Sequence, residues 1–351
     1  MKSVIKVGNN KIGFKKPVYI VAEAGVNHNG DVNIAKKLIK KAKKIGADCI
    51  KFQTFKANNI VTKKAPKADY QLNVTDAEES QYDMLKKLEL DFDAYETIVK
   101  YCDDLNIDFL STPYNKSDVD FLETFDVPAY KIASGQLTEI PFLEYIAKKN
   151  KPIILSTGMG SLAEVYEAVK AIKHHGNNDI VVMQCTTNYP SDIEDANINT
   201  LVTMKNSLQT LTGYSDHVPS NYACYAAVAL GAKVVEKHFT LDREMSGPDH
   251  SSSLDIDGFS ELIKGIRNIE RALGNGFKAP TKKEKQNIYG MRRSLVALVD
   301  MKEGDIIDME NIGFKRPLNG LPVKELKEIV GKRLSKRIKK DAPVTKDAII
   351  W

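Results

Sequence analysis

The chain has 351 residues, 42% hydrophobic and 28% charged, which is typical of a globular protein and leaves room for one large domain and a small one. Its 51 basic and 46 acidic residues give a net charge of +5, too mild an excess to indicate a nucleic-acid partner, which requires clustered basic faces. No apolar run could span a membrane, no signal peptide is visible and the four cysteines show no CxxC spacing, so we expect a cytoplasmic protein without membrane contacts.

Eight short runs rich in valine, isoleucine and aromatic residues recur between residues 18 and 239. Several are almost continuously apolar, as strands covered on both faces should be. They span residues 18–23, 48–55, 107–112, 129–134, 152–157, 179–186, 209–217 and 232–239. Eight strand–helix repeats predict an α/β fold of the (β/α)8 TIM-barrel type. The alternative is a doubly wound open sheet, which usually has fewer strands and a glycine-rich first turn that this chain lacks.

Amphipathic helical patterns separate the strands, the clearest of them at 32–45, 92–105, 162–172 and 221–230. Segment 57–90 is long, polar and irregular, and it predicts an extended loop that covers a site. After a barrel domain assigned to residues 1–275, the glycine- and lysine-rich segment 276–289 predicts a linker. Residues 290–351 combine short strand-like runs with Gly/Pro turns and predict a small second domain.

The C-terminal ends of barrel strands meet at one mouth, where chemistry takes place in enzymes of this fold. All eight predicted strands end in polar or charged residues, and burying each of these without a partner would cost a few kcal/mol. A set this large is hard to explain by packing and predicts a site. Its members are Glu23, Asn27, His28, Lys51, Gln53, Thr112, Lys131, Ser134, Gln136, Ser156, Thr157, Thr187, Asn188, Tyr189, Ser215, Asp216, His217, Glu236 and His238.

Two histidines in this set suggest a metal site. His217 and His238 end adjacent strands, so they can share one divalent metal and leave coordination positions open, as a catalytic metal requires. Glu23, at the end of the first strand, can activate a metal-bound water.

Two lysines in the same set suggest an anion site. Lys51 and Lys131 offer ammonium groups that suit a phosphate and a carboxylate together. Asp249, in the loop after the last strand, can orient a polyol. The hydroxyl groups that complete this cationic cradle come from Thr112, Ser134, Ser156 and Ser215.

Eight motifs run through nearly the whole chain: VAEAGVNHNG, IKFQTF, STPY, YKIASGQ, ILSTGM, GYSDH, VEKHFTLDREMSGPDH and FKRPLNG. Together they resemble the sialic acid synthase family, phosphoenolpyruvate-dependent condensing enzymes that make nine-carbon sugar acids. The resemblance implies a TIM barrel followed by an antifreeze-like domain, also called a SAF domain, in a domain-swapped homodimer. It also implies condensation of phosphoenolpyruvate with an open-chain N-acyl-mannosamine, release of phosphate by C–O cleavage, and a requirement for Mn²⁺ or Mg²⁺.

Residue by residue, the resemblance places the metal on His217 and His238, with Glu23 beside the metal-bound water and the reacting carbons. It implies that Arg316, in the FKRP motif, crosses to the partner's site and holds the N-acyl group of the substrate. The implied phosphoenolpyruvate ligands are Lys51, Thr112, Lys131, Ser134, Ser156 and Ser215. The residues implied to face the sugar are Gln53, Tyr189 and Asp249.

Two positions depart from the family pattern, and both lie on the sugar side. Gln136 stands where many relatives have glutamate, and Thr187 stands where one relative has asparagine. They bear on the identity of the sugar more than on the reaction. N-Acetylneuraminate is the first expected product and N,N'-diacetyllegionaminate, made from 2,4-diacetamido-2,4,6-trideoxymannose, is the alternative. Pseudaminate comes third, because its synthases tend to carry a residue bulkier than Gly135.

Two other functions fit parts of the sequence. One is another phosphoenolpyruvate condensation on a barrel, as in the synthases of seven- or eight-carbon keto acids, but the antifreeze-like domain argues against it. The other is a non-catalytic carbohydrate-binding or ice-binding protein, which would not need His217, His238 and the two lysines.

Overall fold

The computed structural model describes residues 2–72, 75–76 and 78–351. The chain divides into two compact units, one ending at Gly274 and one spanning Asn275–Trp351. Within the described residues, no helix is both long and apolar enough to cross a bilayer.

An antiparallel hairpin that the sequence analysis did not assign opens the first unit, with β1 (Val4–Val7) paired to β2 (Asn10–Gly13). Its inward side chains Ile5, Val7 and Ile12 are buried in one cluster with apolar residues of the barrel strands, such as Tyr19 and Cys49. The hairpin therefore closes the N-terminal end of the barrel with apolar side chains.

Eight parallel strands form the barrel, in agreement with the predicted fold. They are β3 (Tyr19–Gly25), β4 (Cys49–Thr54), β5 (Asp108–Pro113), β6 (Tyr130–Ile132), β7 (Ile153–Ser156), β8 (Ile180–Cys185), β9 (Leu211–Asp216) and β10 (Val234–His238). Strand β3 pairs with both β4 and β10, and β5 and β6, the two strands at the ends of the pairing order, lie in contact. The sheet therefore curves into a nearly closed barrel.

Helices cover the barrel, and several of them begin at a residue whose side chain caps the helix. In the first, the Asp31 side chain accepts from the backbone N–H of Asn33, and Gly46 ends the helix with a positive φ of 94°. Apolar residues on the inner faces of the helices pack on the outward side chains of the strands in one large core. The helices of this unit are α1 (Val32–Ile45), α2 (Ala57–Ile60), α3 (Asp69–Leu72), α4 (Gln81–Lys87), α5 (Phe92–Asp104), α6 (Lys116–Glu123), α7 (Ile140–Ala147), α8 (Leu162–His174), α9 (Thr200–Leu208), α10 (Tyr222–Ala229) and α11 (Ile256–Leu273).

Segment 57–90 is more regular than predicted, since it contains α2, α3 and α4. Its residues 73, 74 and 77 lie outside the described part of the chain. The buried Lys67 ammonium holds the segment together by donating to the Thr75 hydroxyl at 2.9 Å and the Asp76 carbonyl at 2.7 Å. Local polar contacts of this kind leave no periodic apolar signal in a sequence, which is why the helices were not predicted.

The second unit is a small β-containing body. Helix α12 (Lys282–Met291) occupies most of the predicted linker and begins at a capping box in which Thr281 and Glu284 bond each other's backbone N–H groups. Two strands, β11 (Ser294–Ala297) and β12 (Ile312–Lys315), pair antiparallel, and a short helix, α13 (Leu326–Ile329), follows. The unit has its own buried core, which includes Leu295, Ile329 and Val344.

Candidate active site

A cavity of about 440 Å³ opens where the C-terminal ends of the barrel strands meet. Every residue with a predicted catalytic, substrate-binding or metal-binding role lines it except Asp249 and Arg316. Those that do are Glu23, Lys51, Gln53, Thr112, Lys131, Ser134, Gln136, Ser156, Thr187, Tyr189, Ser215, His217 and His238. The barrel geometry thus brings together side chains that are up to 215 residues apart in the chain.

Four buried charged groups occupy the floor of this cavity. The Lys51 ammonium lies 2.8 Å from a Glu23 oxygen and 3.7 Å from a Glu236 oxygen, and the Lys131 ammonium lies 3.3 Å from the same Glu236 oxygen. All four side chains are at most 7% exposed. Glu236 was recognised as a strand end but not placed among the candidate catalytic or substrate-binding residues, because its role depends on a neighbouring strand.

Burial and mutual attraction shift the protonation of these groups in different directions. Burial raises the pKa of Glu23 to about 7, because the loss of hydration outweighs the attraction of Lys51. Burial would also raise the pKa of Glu236, but Lys131 and Lys51 together hold it below its ordinary value. Burial lowers the pKa of Lys131. The cavity therefore contains one carboxyl that can exchange a proton near neutral pH and one that stays ionised.

Hydroxyl groups surround the charged floor. Thr112 accepts a hydrogen bond from Lys51 at 3.2 Å, and Ser215 donates one to Glu236 at 3.2 Å. The Ser134 hydroxyl accepts from the backbone N–H of Gly158 at 2.9 Å. The Ser156 hydroxyl is buried without a hydrogen-bond partner, so it is available to a bound ligand.

Three aromatic rings lie together in the wall of the cavity. The centroids of His217 and His238 are 5.5 Å apart, and the Tyr189 ring lies 4.1 Å from the first and 5.6 Å from the second. Nδ1 of His217 donates to the Thr186 carbonyl at 2.6 Å, so in the neutral ring the lone pair is on Nε2. Nδ1 of His238 is buried without a hydrogen-bond partner, 3.8 Å from a carboxylate oxygen of Asp249.

This pair of imidazoles fits a divalent metal, since one ring has a fixed tautomer and the other an unsatisfied buried nitrogen. Among the described residues, no group of three or more histidine, cysteine, aspartate or glutamate side chains is arranged to hold a metal. Any metal bound here would therefore take its other ligands from water or substrate.

Amide and phenol groups form a chain of hydrogen bonds that ends at the Glu23 carboxyl. Gln53 donates to Glu23 at 3.4 Å, and the Tyr114 hydroxyl donates to the Gln53 side-chain oxygen at 3.2 Å. Tyr114 was not among the predicted site residues, although it ends the STPY motif and directly follows β5.

The two positions that depart from the family pattern have different surroundings. The Gln136 side chain donates to the Pro113 carbonyl at 3.1 Å and accepts from the backbone N–H of Ala133 at 3.2 Å, so it ties the ends of β5 and β6 together. The Thr187 hydroxyl is buried without a partner. A Cβ at position 158 would lie 2.1 Å from this hydroxyl oxygen, so any residue larger than Gly158 would force the Thr187 side chain to move.

The other predicted residues lie apart from the main cavity. Asp249 lines a neighbouring cavity beside His238, and Arg316 is exposed at the end of β12 in the second unit. Asn27 and His28 are structural: the Asn27 amide donates to the Phe239 carbonyl at 3.0 Å, and Nδ1 of His28 accepts from the backbone N–H of Gly30 at 3.0 Å.

Comparisons with known proteins agree with this architecture. The NeuB family model matches residues 38–278, and the SAF domain model matches residues 292–350. The N,N'-diacetyllegionaminic acid synthase of Campylobacter jejuni is 46% identical over 328 residues, which cover 93% of this chain and 98% of the relative. The human N-acetylneuraminate-9-phosphate synthase is 33% identical over 348 residues, which cover 96% of this chain and 94% of that enzyme.

Among solved structures, the N-acetylneuraminic acid synthetase of Leptospira borgpetersenii superposes with a TM-score of 0.73 at 31% identity. The match covers 82% of this chain and 96% of that one.

Proposed function

The chain belongs to the NeuB family, and from that premise we propose that it is a phosphoenolpyruvate-dependent transferase that makes a nine-carbon sugar acid. The reaction joins C3 of phosphoenolpyruvate to the aldehyde carbon of an open-chain N-acyl amino sugar, adds water at C2 and releases phosphate. The observation that carries this proposal is the convergence of two buried lysines and two histidines on one cavity.

The two lysines suit the anionic substrate. Lys51 and Lys131 are held in place by Glu23 and Glu236, so their ammonium groups are oriented before a phosphate or carboxylate arrives. The substrate's anionic groups would offset the charges of these two buried lysines, and ion pairs at buried groups are stronger than in bulk water. Hydroxyls that hydrogen-bond phosphate oxygens would come from Thr112, Ser134, Ser156 and Ser215.

The two histidines suit a cofactor. We propose that His217 and His238 hold Mn²⁺ or Mg²⁺, which when bound would polarise the aldehyde carbonyl as a Lewis acid. The remaining coordination positions suit the sugar oxygen and water. A carboxylate oxygen of Asp249 lies 3.8 Å from Nδ1 of His238. We propose that Asp249 orients this imidazole ring and faces the sugar.

Glu23 is suited to carry the proton that the reaction moves. A carboxyl with a pKa of about 7 can donate a proton to the aldehyde oxygen as the carbon–carbon bond forms. It can then take a proton from the water that adds to C2, where cationic character has developed. The C2–O bond to phosphate breaks next, and no net proton is gained or lost by the protein.

We further propose a domain-swapped homodimer in which Arg316 of the partner subunit holds the N-acyl group of the substrate. The exposure of Arg316 at the end of a strand leaves its guanidinium available to another chain. Planar guanidinium groups are suited to donating hydrogen bonds to an amide carbonyl oxygen.

A phosphate-release assay with phosphoenolpyruvate, Mn²⁺ and N-acyl amino sugars tests the proposal. We expect phosphate release that requires the sugar, and a product whose mass equals sugar plus pyruvate. Lys131→Met should raise KM for phosphoenolpyruvate, while the exposed control Lys170→Met should not. Failure to release phosphate with any N-acyl hexosamine would contradict the proposal.

A further inference from the structure

Tyr114 lines the main cavity but has no part in the proposed function. Its hydroxyl donates to Oε1 of Gln53 at 3.2 Å, and Nε2 of Gln53 donates to Oε1 of Glu23 at 3.4 Å. All three residues line the cavity. Two hydrogen bonds therefore connect a phenol in the cavity wall to the carboxyl that is proposed to move the proton.

The direction of these hydrogen bonds is set by charge. An ionised carboxylate only accepts hydrogen bonds, whereas a carboxamide donates at its nitrogen and accepts at its oxygen. Gln53 must therefore turn its nitrogen to Glu23, and its oxygen then faces Tyr114, whose hydroxyl can donate. Without the Tyr114 hydroxyl, the Gln53 oxygen would lose this hydrogen bond and the carboxamide would be freer to rotate.

Tyr114 is itself held at both its backbone and its ring. Its backbone N–H donates to a carboxylate oxygen of the buried Asp118 at 3.2 Å, in the first turn of α6. Its ring packs edge-on against Phe55, with the two centroids 6.0 Å apart. A side chain fixed in this way loses little further conformational freedom when its hydroxyl forms a hydrogen bond, so Tyr114 is suited to anchor Gln53.

The contact between Gln53 and Glu23 forms beside a glycine. Gly25, at the end of β3, has a positive φ of 52°. A Cβ at this position would lie 3.3 Å from Oε1 of Glu23 and 3.4 Å from Nε2 of Gln53. Glycine therefore lets the two groups meet here, but it has no side chain that could hold them in place by packing.

The second carboxyl oxygen of Glu23 is left for the reaction. Oε2 has no hydrogen-bond partner among the described residues, although the Lys51 ammonium lies 2.8 Å away. Because Gln53 binds Oε1, rotation of the carboxyl is restricted and Oε2 stays on the side of Lys51, where the anionic substrate is proposed to bind. Misplacement of a reacting group by about 1 Å can cost roughly 100-fold in rate.

We propose that Tyr114 is a positioning residue for Glu23, which it orients through the Gln53 carboxamide without touching the reacting atoms. The inference rests on the proposed function, since it names a further residue on which that reaction depends. Its expected consequence is that loss of the Tyr114 hydroxyl lowers kcat and leaves the binding of phosphoenolpyruvate nearly unchanged.

Tyr114→Phe removes the hydroxyl and keeps the ring. Phosphate release by the full-length protein is measured with Mn²⁺, phosphoenolpyruvate and either N-acetylmannosamine or 2,4-diacetamido-2,4,6-trideoxymannose, whichever the parent converts faster. We expect kcat to fall roughly tenfold or more, because the carboxyl is less often in its reactive orientation. KM for phosphoenolpyruvate should change by less than about twofold, because Lys131 and the hydroxyls around it are untouched.

Tyr95→Phe is the matched control. The Tyr95 hydroxyl donates to the backbone carbonyl of Gln53 at 2.8 Å, so this variant also removes a hydroxyl bonded to Gln53 but leaves the carboxamide in place. Both variants should lower the urea midpoint of unfolding by similar amounts, and only Tyr114→Phe should lower kcat. Equal losses of kcat in the two variants would mean that Tyr114 has a structural role only, and would overturn the inference.

A double-variant cycle tests whether Tyr114 acts through Gln53. Gln53→Met removes the carboxamide and keeps a side chain of similar length. In this background Tyr114→Phe should change kcat by less than about twofold, because the connection to Glu23 is already broken. Two losses of kcat that multiply would instead mean that Tyr114 acts on the substrate directly.

Failure of the inference and failure of the proposed function give different results. If the parent releases phosphate and Tyr114→Phe has the same kcat, or the two losses in the cycle multiply, the inference is wrong and the function stands. If the parent releases no phosphate with either sugar, the proposed function itself is wrong.

Discussion

His238 ends the last barrel strand with a buried imidazole whose Nδ1 has no hydrogen-bond partner. If it holds the metal, His238→Ala should weaken Mn²⁺ binding by more than about 100-fold, since even indirect neighbours of metal ligands contribute 10–100-fold. Phosphate release should disappear while the circular dichroism spectrum stays unchanged. Electron paramagnetic resonance of free Mn²⁺ measures the binding directly.

The exposed His174 offers a control, since His174→Ala should bind Mn²⁺ as the parent does. Turnover restored in His238→Ala by saturating Mn²⁺ would argue against metal ligation at this position.

His28 should make the fold sensitive to acid. Burial lowers the pKa of His28 to about 4 from an ordinary value of 6.5, against an opposing effect of Asp31. Between these values the unfolded chain binds a proton that the folded chain does not, so stability is complete above pH 6.5 and falls as the pH drops towards 4. The loss amounts to about 2 kcal/mol at pH 5.

Urea unfolding at pH 7.5 and pH 5.0 measures this loss. A His28→Gln variant should be less stable at both values but should lack that part of the pH dependence. An identical pH dependence in the variant and the parent would show that His28 is not its source.

At the residue scale, most of the site could be predicted because the ends of parallel barrel strands converge whatever their order in the sequence. The pairing of Glu236 with Lys51 and Lys131 could not be predicted, because it depends on which side chains from three different strands meet in space. The hydrogen bonds of Gln136 to the backbone could not be predicted either, because a sequence does not show whether a side chain faces a ligand or a backbone carbonyl.

Among the structural elements, β9 and β10 are joined next to His217 and His238 by the buried ion pair between Asp216 and Lys237. The Lys237 ammonium donates to Asp216 and to the carbonyls of Val218 and Ser220. Lys237→Met would leave a buried carboxylate without its cation, which costs about 3–5 kcal/mol. Urea unfolding measures the cost.

A matched variant at an exposed pair calibrates this measurement. Lys336 and Asp347 are 52% and 70% exposed, so Lys336→Met should change stability by less than about 1 kcal/mol. Equal effects of the two lysine substitutions would mean that the buried pair does not stabilise the strand ends.

The barrel strands and the main helices were predictable because their apolar periodicity is strong. The hairpin β1–β2 was not, because its strands are only four residues long and its burial depends on the open end of a barrel far along the chain. Helix α12 was likewise not predicted, because it lies in a lysine-rich segment and has no buried residue. Its start is defined by a capping box rather than by packing.

At the scale of the whole molecule, the proposed exchange of domains can be tested by subunit mixing. His238→Ala and Arg316→Ala chains should each be inactive. If Arg316 acts on the partner's barrel, a mixed dimer contains one site with both wild-type residues, so random mixing should restore roughly a quarter of parent activity.

If Arg316 instead serves its own barrel, each site in the mixed dimer lacks one of the two residues. Mixtures that stay inactive although the subunits have exchanged would therefore contradict the proposed arrangement.

The most direct test of the account uses phosphoenolpyruvate labelled with ¹⁸O at the oxygen that bridges C2 and phosphorus. Because water adds to C2 and the C2–O bond breaks in the proposed reaction, the released phosphate should retain the label, which shifts its ³¹P resonance. Unlabelled phosphate would mean that the P–O bond breaks instead, and the proposed roles of Glu23 and the cationic cradle would be wrong.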